Sequence, residues 1–282
     1  MSIIFELFRF QLLPKNRFAP QVDWLNELMS VEELIARKNE FFFQSLLSVV
    51  SDKPSLKNIK IKSLYCDEDF MILKLARSRQ IERETEDFKG EVLDDWPSTL
   101  VVIWNHPDRQ LIAVQKRRKA FKKCIYAVNL LTTHINKRLA TRQLVSEFEP
   151  LFESNEFWSL LKRHEGKVTN VEFEFITPNM ASMSKSLSED IKSFSKATNA
   201  TKSKLKFEAD KDSALLLEKD NPMLSGLVDY HSKGGGNIKI NVTGLKKTLS
   251  TSDTVREVSL EGLEIEGNEA NVINALKELI ND

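Results

Sequence analysis

The 282-residue sequence predicts an α+β fold, with mixed, largely antiparallel sheets and packed helices, organised as two α+β units over residues 1–150 and 151–282. Three observations carry that reading. Segments alternating apolar and polar residues with the strand period of two follow one another across short turns, which marks hairpins. Segments with apolar residues three and four apart mark amphipathic helices among them. The regular βαβα alternation of a doubly wound parallel sheet is absent. With 17 Phe and 4 Trp the chain has bulky core material, and a chain of this length buries on the order of 70–75% of its unfolded surface.

Met1 to Phe10 reads as a first strand, apolar but carrying Glu6 and Arg9, and it lacks the basic leader and small-residue cleavage site of a signal. A turn region follows from Pro14 to Pro20. Ser30-Val31-Glu32-Glu33 has the form of a capping box, in which a hydroxyl and a carboxylate three residues apart satisfy open helical amides. A helix is therefore expected from about Val31 to Val50, with Leu34, Ile35, Phe42, Leu46, Val49 and Val50 on its apolar side. Ile59–Tyr65 and Phe70–Ala76 flank Cys66-Asp67-Glu68-Asp69 as one hairpin. Thr99–Trp104 and Leu111–Gln115 flank Asn105-His106-Pro107-Asp108 as another. Phe121, Cys124, Val128, Leu131, Ile135 and Leu139 then recur at helical spacing, which predicts a helix over about Ala120–Leu139.

Arg142–Pro150 is expected to connect the two units, and Ser154 to cap a short helix through Trp158 and Leu161 that stops at Gly166. Val168–Ile176 alternates, with Val171, Phe173 and Phe175 on one face and Glu172 and Glu174 on the other. Met183, Leu187, Ile191 and Phe194 predict a surface helix, and Leu205–Ala209 a short strand. Asn221-Pro222 is a cap followed by a first-position proline, opening a helix to about Ser232. Gly234-Gly235-Gly236 breaks it before a strand carrying Ile238, Ile240 and Val242. A strand over Thr254–Leu260 and a helix bearing Val272, Ile273, Leu276, Leu279 and Ile280 complete the chain.

The two cysteines, Cys66 and Cys124, form no Cys-x-x-Cys pair, which argues against a zinc site or disulfide framework and for reduced thiols in a cytoplasmic protein. No apolar run approaches the ~18 residues of a membrane span. Asn199-Ala200-Thr201 and Asn241-Val242-Thr243 match the glycosylation pattern, which means little without a secretory signal.

Charge is balanced overall, 41 Lys and Arg against 41 Asp and Glu, but strongly segregated. From Arg109 through Ser146 there is no Asp or Glu, and Lys116, Arg117, Arg118, Lys119, Lys122 and Lys123 crowd the expected start of the Ala120 helix. Cations there oppose the positive end of the helix dipole, a penalty of ~0.3–1 kcal/mol each at low salt. A nucleic-acid phosphate would reverse that sign, since side chains and open helical amides both attract anions. The competing reading is that these residues pair with the acidic stretch from Glu82 to Asp95, or solvate a hairpin end. Lys137 and Arg138 extend the basic set. Lys233-Gly234-Gly235-Gly236-Asn237, with Lys239, Lys246 and Lys247 near in sequence, is a second candidate anion site, against the simpler reading of a glycine helix stop.

His106, His134, His164 and His231 are scattered, and no Gly-x-Ser-x-Gly elbow or Gly-x-Gly-x-x-Gly fingerprint occurs. Glu172 and Glu174 share a strand face of the kind on which a nuclease holds a divalent cation, with Asp94 and Asp95 as candidate partners, whereas a solvated sheet face needs no metal. No catalytic residue, metal ligand or cofactor is assigned.

The basic helix, the Val171-Glu172-Phe173-Glu174-Phe175 strand and the Gly234–Val242 strand together resemble, in general organisation, the RexA-like phage-exclusion proteins of temperate phages. That resemblance implies sequence-nonspecific DNA binding, self-association and a role in defence against infecting phage, and it carries over no site residue. The leading expectation is a non-catalytic protein that binds nucleic acid, duplex DNA in particular, and forms a homo-oligomer with a possible protein effector partner. The alternatives are a divalent-metal nuclease and an interaction adaptor whose opposite charge blocks mediate docking.

Overall fold

A computed structural model describes residues 2–16, 21–22, 28–51, 58–176, 189–261 and 273–278. The fold is α+β, and every strand pairing among the described residues is antiparallel. Strand β1 (Ser2–Pro14) is the hub. After the small β2 (Gln21–Val22) and β3 (Leu28–Met29) ladder comes α1 (Val31–Ser51), followed by β4 (Ile59–Cys66) and β5 (Phe70–Arg77). A separate two-stranded hairpin, β6 (Arg79–Glu84) and β7 (Gly90–Asp95), precedes β8 (Ser98–Trp104), β9 (Leu111–Gln115) and α2 (Cys124–Leu139). Then come β10 (Leu144–Pro150), α3 (Ser154–Arg163), β11 (Val168–Ile176), α4 (Glu189–Ala197) and β12 (Lys202–Glu208). The last are α5 (Pro222–Tyr230), β13 (Gly236–Val242), β14 (Leu249–Ser250) and β15 (Glu257–Glu261).

The larger sheet runs β10-β1-β9-β8-β5-β4, with β15 also paired to β1. Because side chains alternate across a strand, β1 serves two cores. Phe8, Phe10 and Leu12 pack beneath α1 and α2 with Phe41, Phe42, Leu46, Val128 and Leu131. Phe5 and Leu7 join Ile72, Val102, Ala113 and Leu151 on the opposite face, where Leu276 of helical residues 273–278 also packs. The smaller sheet, β12-β11-β13-β14, buries Val171, Phe173 and Ile240 against Phe157 of α3 and Leu227 and Tyr230 of α5. Residues 151–282 thus supply the smaller sheet and also return β15 to β1.

Local chemistry explains most element boundaries. Ser30 Oγ accepts from the Glu33 amide at 3.1 Å while the Glu33 carboxylate accepts from the Ser30 amide at 2.8 Å, the reciprocal pair of a capping box. Asn221 Oδ1 accepts from the amides of Met223 and Leu224, both at 3.1 Å, and Pro222 opens α5 behind it. Both expected hairpins form, as β4–β5 and β8–β9.

Three expectations are corrected. The Arg142–Pro150 connector is largely strand β10, in which Leu144, Ser146 and Phe148 turn inward against β1. Ser154 is the first residue of α3 rather than its cap, which falls on Glu153 without a side-chain hydrogen bond. The basic helix begins at Cys124 instead of Ala120, so Lys116 to Lys123 lie on the turn that leads into it. Phe121, buried three residues before Cys124, continues the helical spacing without being helical. Met183 and Leu187 lie outside the described residues, as do Val272, Leu279 and Ile280.

Candidate nucleic-acid interface

The turn between β9 and α2 is built on two carbonyl contacts, the amides of Ala120 and Phe121 donating to the carbonyl of Arg117 at 2.9 and 3.1 Å. Burial of Phe121 pins it to the core and leaves its polar neighbours outside. Lys123 is the N-cap of α2 in extended conformation and offers no side-chain acceptor, so no side chain of the cap satisfies the helix's first amides. The basic residues then divide into two groups. Lys116 pairs with Glu257 and lies 3.8 Å from Glu6, Arg117 donates to the Ser98 carbonyl at 2.7 Å, and Lys123 reaches Asp253 at 3.7 Å. Arg118, Lys119 and Lys122 are exposed and have no hydrogen-bond or ion-pair partner among the described residues.

The acidic stretch proposed to neutralise this turn is the β6–β7 hairpin, and it spends charge internally: Arg79 meets Asp95 at 2.6 Å and Arg83 meets Glu91 at 2.9 Å. No ion pair joins it to the basic turn among the described residues.

The remaining basic candidates are spread out. Lys137 and Arg138 sit in the last turn of α2, where cations suit the helix dipole, about 20 Å from Lys123 along the axis. Lys239 binds Glu174 at 2.8 Å and stands 4.0 Å from Glu172. Lys247 donates to Asp253 at 2.8 Å, so Asp253 gathers Lys247 and Lys123 from two loops. Lys246 is exposed beside it in sequence.

The turn borders a groove of about 620 Å³, formed where β10 and β15, which share one edge of β1, part company. At the fork the Leu151 amide donates to the Leu7 carbonyl at 2.9 Å and the Leu7 amide to the Arg256 carbonyl at 3.0 Å. Lys116, Arg118, Lys122 and Lys123 line the groove. So do Glu6, Glu149, Glu174 and Asp253, which leave its walls close to neutral when all are ionised. Of the exposed cations Arg118, Lys119 and Lys122, the first and last line the groove and Lys119 stands outside its lining. Burial raises the Glu149 carboxyl to about 7; Lys202 opposes the rise, while Glu147 and Glu174 add to it.

The carboxylate pair on β11 has a different environment. Lys204 reaches Glu172 at 3.2 Å and also binds Glu174. Partial burial pulls the Glu174 carboxyl upward, but hydrogen bonds from Lys204 and Lys239 outweigh it and hold the group at about 2. Asp94 and Asp95 belong to the separate β6–β7 hairpin and do not join this pair. Among the described residues no group of three or more His, Cys, Asp or Glu side chains is placed to hold a metal.

The glycine run has a packing explanation. A Cβ on Gly236 would stand 1.9 Å from the Glu174 carbonyl oxygen, and one on Gly234 would stand 2.5 Å from Arg9 Cβ. Lys233 pairs with Asp229 at 2.7 Å. His231 is fully buried, its Nδ1 2.6 Å from the Leu227 carbonyl, and burial lowers it to about 4. The Cys124 thiol is buried and pushed up by that burial, which makes it unreactive.

Sequence reasoning missed Asp253, the acid that draws two lysines together, and Glu149; Lys123 reaches Asp253 from 130 residues away, and Glu149 owes its shift first to burial, neither of which leaves a local signal. No family model, curated protein or solved structure matches this chain. No helix among the described residues is long and apolar enough to cross a membrane.

Proposed function

We propose that this protein binds nucleic acid without sequence preference, holding backbone phosphates with Arg118, Lys119 and Lys122 at the start of α2. The observation that carries the reading is the exposure of these cations, without a partner among the described residues, beside a helix N-terminus with no side-chain cap. Phosphate contacts of this kind position a duplex and read no base edge. The reading is non-catalytic, supported by the two lysines that already neutralise Glu172 and Glu174. Duplex DNA is the proposed ligand. Self-association and exclusion of infecting phage are proposed from the resemblance in organisation, and an effector partner as the route by which a non-catalytic binder would signal.

The test is binding to labelled duplex DNA across a salt series. Release of counterions from roughly three phosphates gives a slope of log affinity on log salt of about −2.7. The R118Q/K119Q/K122Q variant should bind weakly with a slope near zero. An unchanged slope in that variant, or binding insensitive to salt in the parent, overturns the proposal.

A further inference from the structure

A second cationic feature lies away from the basic turn. Arg9 sits in the middle of β1, opposite Leu111 of β9 and Glu149 of β10, four residues along the strand from Phe5, which pairs with the end of β9 at Gln115. That spacing puts its backbone roughly 13 Å from the start of the turn. Its Nε is sealed from water with no hydrogen-bond partner, and the residue forms no ion pair among the described residues. The side chain as a whole is half-buried, so the orphaned atom is Nε, and a buried N–H ordinarily finds a hydrogen-bond acceptor.

The surroundings increase the deficit. Burial and the neighbouring guanidinium of Arg109 together lower Arg9 to about 10. Arg109 is itself held over the Trp104 ring, 4.9 Å from its centroid. Gly234, in the left-handed region at φ 84°, presses so closely on Arg9 that no side chain fits there. Gln11, two residues along the same face, donates from Nε2 to the Gly234 carbonyl at 3.4 Å and tethers the glycine loop to β1.

We infer that Arg9, with Arg109 beside it, forms a binding site for a phosphate-class oxyanion at the seam between β1 and the glycine loop. Such an anion supplies the counter-charge that the fold withholds from Arg9. The planar guanidinium offers a fork of donors that matches a tetrahedral oxyanion. The site is separate from Arg118, Lys119 and Lys122, so its failure leaves the nucleic-acid reading standing.

Inorganic phosphate is the probe, titrated into the full chain at constant ionic strength against sodium chloride, with thermal unfolding and phosphorus NMR line width as readouts. The parent should gain thermal stability and broaden the phosphate line beyond the chloride control. Arg9→Gln should lose about tenfold or more in phosphate affinity, whereas R118Q/K119Q/K122Q should keep the parent's response. Arg109→Gln relieves repulsion on a folded chain and should still weaken phosphate. If Arg9→Gln does not fold, that variant decides. A parent response equal to chloride, or full affinity in Arg9→Gln or Arg109→Gln, overturns the inference. Addition of a short duplex separates the sources of the phosphate. Displacement of inorganic phosphate from the parent assigns the site to a nucleic-acid backbone; retention assigns it to a small free phosphate compound.

Discussion

Arg9 and Glu149 occupy directly opposed positions on the β1–β10 ladder, yet they form no ion pair. Arg9 is instead faced by the like charge of Arg109, while Glu149 stands between Lys202 and Lys239 on one side and Glu147 and Glu174 on the other. Directly opposed residues of an antiparallel pair share a sheet face and ordinarily interact. Here burial weakens both ionised forms, leaving the guanidinium and the carboxyl in separate settings on either side of one rung. Of the two, only Glu149 lines the groove beside the basic turn.

Glu149 and His231 should give the protein opposing pH responses. The Glu149 value rises from 4.5 to about 7 on folding, so between those values the folded state holds a proton that the unfolded state has released, and stability falls as pH rises. His231 moves from 6.5 to about 4, so the unfolded state holds the extra proton there, and stability falls as pH drops. The two slopes, each up to about 1.4 kcal/mol per pH unit, offset one another where the windows overlap. Glu149→Gln should expose a steep acid loss between pH 6.5 and 4, and His231→Phe a loss on raising pH from 4.5 to 7. Urea midpoints at pH 4.5, 5.5 and 7 check this; parallel profiles for all three proteins would count against it.

Gly236→Ala should be severely destabilising, by about 3 kcal/mol or more, because the new Cβ meets the Glu174 carbonyl oxygen and the backbone adopts φ 148°. Gly90→Ala, with nothing within 4 Å, is the matched control and should cost under about 1 kcal/mol. Chemical unfolding of both variants gives the comparison.

Asp253→Asn should strengthen binding to duplex DNA. The carboxylate is held below its ordinary range first by the hydrogen bond from Lys247, with Lys123 adding to the effect, and it keeps both cations from a phosphate. Freeing them should raise affinity several-fold and steepen the salt dependence by up to about two phosphate equivalents. Weaker binding in the folded variant would contradict the assignment of the basic turn as the contact surface.

Phe88→Gly should stabilise the protein by about 0.5–1 kcal/mol. Phe88 stands at the tip of the β6–β7 hairpin at φ 57°, 84% exposed, so glycine removes backbone strain and forfeits almost no packing. A lowered urea midpoint would show that the ring makes a contact worth more than the strain.

Much of the fold was legible because its signals are local. The Ser30–Glu33 box, the Asn221-Pro222 cap and the alternation of Val171, Phe173 and Phe175 each depend on a few neighbouring residues, and each formed as expected. Phe121 misled because a buried anchor on a turn can keep helical spacing without helical hydrogen bonds. The β6–β7 hairpin was hidden because the β6 side chains are exposed on both faces, so no strand-period contrast marks them. Within the candidate site, the sequence identified the basic cluster but could not say which cations were occupied. Lys116 is claimed by Glu257, 141 residues away, and Lys239 by Glu174 across a ladder; neither pairing leaves a local trace.

The shared edge of β1 also imposes an order on the molecule's assembly. Residues 2–6 emerge well before residues 257–261, with which they complete their hydrogen bonding, and the fork beside the basic turn closes with the same event. Such distant pairing carries a large loop-closure cost before it gains any contact energy, which slows folding. The groove is thus a late product of folding, and a nascent chain carries its basic turn before Asp253 and Glu257, which restrain Lys123 and Lys116, have arrived.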